Sequence, residues 1–193
     1  MSNEMLNNNF QNIIINFVKK NFKYLIVLLI FLVLILFSFL FYKEVQIKNE
    51  IKLSEQYIQA SIQFKQKNLD ETKKLLENII NEKHKFYSTI ALYFIIDNSL
   101  ETDPLKIINY FDKVLSISSI DNENLNLIKI KKAFFLFNIG DEKLIIKTLN
   151  PIINSDSVWK NMAIELISDY YLSKNQNIKS NEYLKILNKR KKN

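Results

Sequence analysis

Two patterns of apolar residues divide the chain. From Tyr24 to Tyr42, "YLIVLLIFLVLILFSFLFY", apolar side chains occupy every helical face; Ser38 alone interrupts the Leu, Ile, Val and Phe between the tyrosines. Beyond Tyr42 the apolar positions thin out and become one-sided. In "NLDETKKLLENII", "DPLKIINYFDKVL", "GDEKLIIKTLNPII" and "NIKSNEYLKIL" a polar turn leads into a helix with a single apolar face. The first pattern predicts a helix in lipid and the second predicts helices packed on one another.

The apolar stretch has the length for that role. At 1.5 Å per residue its helix would extend roughly 28 Å, the hydrocarbon thickness of a bilayer. Transfer of its apolar residues is worth on the order of 5–10 kcal/mol. Tyr24 and Tyr42 stand where interfacial aromatics belong, and no small-x-small cleavage pattern follows, so an uncleaved anchor is expected. Lys19, Lys20 and Lys23 before the span balance Lys43, Lys48 and Lys52 after it, so charge does not orient it. Between Tyr24 and Lys67 there is no Gly, no Pro and no Ser/Asn/Asp cluster. Val45, Ile47, Ile51, Tyr57, Ile58 and Ile62 carry the apolar pattern onward among charges. A helix running from the span into the first helix of the following domain is therefore expected, straight or with one shallow bend at 43–49.

Beyond the span the one-sided pattern recurs. Thr72, Ile107, Ile145 and Ser180 align at separations of 35, 38 and 35 residues. Four residues after each lies Leu76, Phe111, Leu149 or Leu184, and seven after each lies Ile79, Val114, Ile152 or Leu187, all on one helical face. Small residues precede three of them by twelve positions: Ala60, Ala133 and Ser168. Ala91 serves in the second unit, across the longer turn "NSLETDP". Each unit reads as two amphipathic helices joined by a polar turn. A period near 35 is that of tetratricopeptide-type arrays, although a plain four-pair helical bundle would produce similar amphipathicity. The predicted fold is all-α, a single N-terminal transmembrane helix followed by a tetratricopeptide-like solenoid of about four helix pairs. The predicted divisions are a short basic segment at 1–23, the span at 24–42, the repeat domain at 43–190 and a basic tail at 191–193. Gly140 is the one glycine available to a turn, and none of the four aligned positions holds the alanine usual in such repeats.

Composition narrows the chemistry. The chain of 193 residues has no Cys, one His and one Gly. Thiol nucleophiles, disulfides, Cys-based zinc sites and Gly-rich phosphate loops are excluded. His84 stands alone, and Asp70-Glu71 and Asp141-Glu142 fall in helical first turns, where carboxylates complement the helix dipole. No catalytic, cofactor-binding or metal-binding residues are assigned, no cofactor is expected, and the chain is not expected to be an enzyme. The charge of +7 is spread along the chain, and "NKRKKN" suits the negative end of a last helix, so neither nucleic acid nor a small-molecule substrate is expected. Trp159 is expected to pack over a neighbouring helix pair. Of the first-helix aromatics Tyr57, Phe64, Tyr93, Phe94, Phe134, Phe137, Tyr170 and Tyr171, most are needed for the core and some are available to a peptide.

The order of "VKKNFKY", one span, an immediate helix pair and a domain of about 150 residues resembles the membrane-anchored tetratricopeptide proteins that are ancillary subunits of the bacterial Sec translocon. "VWKNMAIELISDYYLSKNQNIKSNEYLKIL", Val158 to Leu187, is similar to that family's last unit. The resemblance implies the bacterial inner membrane, a cytoplasmic N-terminus and a periplasmic repeat domain. It implies protein partners: translocon subunits, periplasmic chaperones or exported chains. A structural scaffold for envelope or division machinery is the alternative expectation.

Overall fold

The computed structural model describes the backbone of residues 2–190 and most side chains from Phe22 to Leu187; the tail expected at 191–193 lies outside the described residues. Helix accounts for 82% of the chain, and no strand occurs among the described residues. The helices are α1 (Ser2–Lys65), α2 (Leu69–Asn81), α3 (Tyr87–Asp97), α4 (Pro104–Leu115), α5 (Asn122–Ile139), α6 (Glu142–Ile153), α7 (Lys160–Ser173) and α8 (Asn177–Arg190). The chain divides into two compact units, Met1–Lys52 and Leu53–Asn193.

The first unit is helical from Ser2 onward, and the helical backbone of α1 is unbroken to Lys65, as the absence of Gly and Pro predicts. It holds the one stretch among the described residues that is long and apolar enough to cross a membrane. No part of that stretch is buried by protein.

In the second unit, helices follow each other through short turns, and α2 to α8 each pack on their chain neighbour. Beyond neighbours, α2 packs with α4 and α5 with α7. Two buried clusters result. Leu53, Ala60, Leu76, Ile79, Ala91, Leu92, Phe111 and Val114 belong to the first; Ala133, Leu136, Leu149, Ile152, Ala163 and Ile167 belong to the second. Each fully buried Leu, Ile or Phe contributes about 1.5–3 kcal/mol. The aligned positions fall where the spacing places them. Ala60, Ala91, Ala133 and Ser168 are buried, as are Thr72, Ile107, Ile145 and Ser180. In the last pair, the Ser168 and Ser180 hydroxyls meet at 2.7 Å, so two small residues touch and satisfy each other.

Two features depart from the sequence expectation. Only α2, α4 and α6 are clearly one-sided; α3 and α5 carry apolar residues round most of their circumference. The cause is position: α3 is flanked by α2 and α4, and α5 is packed by α4, α6 and α7. Second, the turns that follow α1, α3, α5 and α7 share one backbone device although only one has glycine. Lys67, Ser99, Gly140 and Asn175 all adopt positive φ, between 52° and 82°. At Lys67, Ser99 and Asn175 the next residue's N–H reaches back five positions, to the carbonyls of Gln63, Ile95 and Tyr171. This is the Schellman closure, which satisfies the last carbonyls of α1, α3 and α7; at the end of α5 the Gly140 N–H reaches the Leu136 carbonyl instead. Asp103, Asp121 and Asp141 then cap α4, α5 and α6 by accepting from the N–H groups of Leu105, Asn124 and Leu144.

Candidate functional site

The first-helix aromatics separate into core and surface. Tyr170 and Tyr171 are buried in the second cluster. The Tyr170 hydroxyl donates to the Gly140 carbonyl at 3.1 Å, and the Tyr171 hydroxyl donates to Glu142 Oε1 at 3.0 Å. Burial and the Glu142 carboxylate push the Tyr171 hydroxyl pKa upward. Phe94 stacks edge-on with Tyr57 and Phe64, tying the end of α1 to α3. Trp159 opens α7 half-buried against the second cluster, in line with its expected packing role. His84 Nδ1 accepts from the N–H groups of Phe86 and Tyr87, so the single histidine caps the start of α3. Among the described residues no three His, Asp or Glu side chains gather as a metal site.

The remaining aromatics line an open face between α3 and α5. A cavity of about 590 Å³ is lined by Tyr93, Ile96 and Asp97 of α3, Phe111 of α4, Leu166 and Asp169 of α7, and an α5 face carrying Lys131, Phe134, Phe135, Phe137 and Asn138. Lys131, Phe134, Phe135 and Asn138 are spaced three, four and seven apart, one stripe of a helix. Phe134 is half exposed, a large apolar ring facing solvent from a groove. A second cavity, about 560 Å³, lies toward the helix starts between Phe86, which precedes α3, Thr89 and Ile90 of α3, and Asn124, Leu127 and Ile128 of α5. Tyr93 belongs to both cavities. Helix starts meet helix starts and ends meet ends, so α3 and α5 run side by side in the same direction, and the cavities follow one another along the gap.

Charge is placed at the groove with economy. The Lys131 ammonium sits 4.3 Å from the Tyr93 ring centre, a cation–π contact. Burial, with Asp97 nearby, pushes the Tyr93 hydroxyl up to about 12. Asp97 and Asp169 are exposed, and neither is in an ion pair among the described residues. The elements at hand are apolar surface, two carboxylates, one ammonium and an amide. Comparison with known proteins adds no relative: no family model, curated sequence or solved structure matches the chain.

Of the residues lining this groove, the sequence placed Tyr93, Phe134 and Phe137 among the first-helix aromatics without assigning any of them to a ligand, and it did not mark Asp97, Lys131, Asn138 or Asp169. The three-four-seven stripe on α5 was the available signal. It identifies a face, but the neighbour that leaves that face open lies some 35 residues away in the chain, on α3.

Proposed function

We propose that the chain is a non-enzymatic protein–protein interaction module tethered to a membrane by the apolar part of α1. Residues 53–190 form a tetratricopeptide-like array of four helix pairs in this reading. The burial of all four small positions on the first helices, and the shared turn geometry within the pairs, support it. The observation that carries the functional reading is the open, aromatic-lined face of α3 and α5, on the same chain as one membrane-length apolar helix. A tether raises the local concentration of a weakly binding groove relative to membrane-bound partners.

The sequence resemblance sharpens the role to an ancillary subunit of the bacterial Sec translocon in the inner membrane. Its N-terminus is cytoplasmic and its helical array periplasmic, linking protein export to periplasmic chaperones. The test is a photo-crosslinking residue placed at Phe31 or Phe37, both exposed on the anchor. Irradiated membranes should yield an adduct with a translocon subunit. Recovery of lipid adducts alone, from both positions, contradicts the role.

A further inference from the structure

The groove's charged groups indicate the chemistry of its occupant, an inference that rests on the interaction-module reading. Three charged side chains line the larger cavity. Lys131 is engaged with the Tyr93 ring, whereas Asp97 and Asp169 approach from α3 and α7 with no cationic partner among the described residues. A chain of net charge +7 thus presents a locally acidic rim around apolar walls. Apolar walls of this size accept a large aliphatic or aromatic side chain, and the rim favours a cation beside it and disfavours an anion.

The second cavity sets a spacing. On α3 its lining is centred near Ile90, against Ile96 for the larger one; on α5 the centres lie near Leu127 and Phe135. At 1.5 Å per helical residue these offsets place the cavities roughly 9–12 Å apart. An extended peptide covers that distance in about four residues.

The geometry points to an unfolded protein segment as ligand, with two large apolar side chains about four residues apart and Lys or Arg beside the one in the larger cavity. Apolar residues flanked by basic ones would seat; the same residues flanked by acids would be rejected. The ligand class is an extended, apolar and basic polypeptide stretch.

The test uses the full chain in detergent micelles and three fluorescein-labelled synthetic peptides in a Ser/Thr background, read by fluorescence anisotropy. One carries two phenylalanines about four residues apart, each beside a lysine; one has glutamates for the lysines; one has alanines for the phenylalanines. The lysine peptide should bind about tenfold more tightly than the glutamate peptide. The alanine peptide should show no saturable binding. In the D97N/D169N double variant the lysine-to-glutamate ratio should fall below about twofold, with the phenylalanine dependence kept. Equal binding of the lysine and glutamate peptides by the unaltered chain would overturn the charge assignment and leave the groove as a binding site. Retention of the full ratio in the double variant would likewise overturn it. If no peptide binds and the protein elutes as two copies per micelle, a second copy fills the groove and the proposal fails. The anchor crosslinking result is independent of all these outcomes, so the translocon role stands or falls separately.

Discussion

Leu36 in the first unit and Leu76 in the second are the same side chain on the same kind of helix with opposite fates. Leu36 is 60% exposed and Leu76 is 0% exposed. The contrast extends across the units: from Ile26 to Tyr42 every large apolar side chain is exposed, whereas Ile79, Leu92, Phe111, Leu136 and Ile152 are sealed. Composition does not separate these regions, since both are rich in Leu, Ile and Phe. Periodicity does. A helix apolar on every face has no face to give water, so it needs lipid or protein on all sides, and no protein covers the apolar part of α1; a helix apolar on one face needs a neighbour on that face alone.

The largest expected effect breaks the anchor half of that contrast. Arginine at both Ile30 and Leu36 costs about 6 kcal/mol of insertion free energy, comparable to what the whole span supplies. The variant should leave the alkali-resistant membrane fraction while the melting of residues 53–190 is unchanged; retention in that fraction would deny the anchor its role. The converse experiment is Phe111→Ala. This ring is fully buried and tilts against Phe135 at 6.2 Å between centroids, so truncation should cost about 4 kcal/mol of unfolding free energy in urea titration. Membrane integration should be untouched by it.

The turns were partly legible, and their failures are instructive. The positions between paired helices follow from the repeat, but the sequence suggested a turn glycine only at Gly140. Lys67, Ser99 and Asn175 take the left-handed conformation without it, because two backbone hydrogen bonds per turn offset a cost of about 1 kcal/mol. Glu101 was invisible for another reason: nothing in "NSLETDP" marks which acid turns inward. Its carboxylate is buried, accepting from the N–H groups of Thr102 and Asp103 and pairing with Lys73 Nζ at 2.6 Å. The small positions, by contrast, were readable, since Ala60, Ala91, Ala133 and Ser168 need only helical spacing to be found.

Glu101 therefore makes an acid-sensitive contribution to the stability of the second unit. Lys73 first, then the Asp103 and Thr102 backbone, hold its carboxyl at about 2 against an ordinary 4.5. The folded value is the lower one, so its stabilisation is complete above pH 4.5 and is lost as pH falls from there toward 2. Glu101→Gln should cost about 2 kcal/mol at pH 7 and flatten the decline of stability over that acid window, measured by urea titration at a series of pH values. An unchanged acid slope would show that other carboxylates carry it.

The smallest effect has the opposite sign. Ser99→Gly relieves a positive φ of 52° and should stabilise the second unit by about 0.5 kcal/mol, the gain being reduced by the greater backbone entropy of glycine in the unfolded chain. Asn175→Gly should gain less, because asparagine already tolerates that conformation. A larger gain at Asn175 than at Ser99 would contradict the strain account of these turns.

In the proposed role, α1 anchors the chain in a bacterial inner membrane and leaves the helices of residues 53–190 at its outer face. Protease protection tests it most directly, with immunodetection of residues 53–190 after expression in a Gram-negative host. Added protease should remove the array in spheroplasts and spare it in inverted membrane vesicles. Protection in spheroplasts with digestion in inverted vesicles would place the array on the cytoplasmic side and contradict the account.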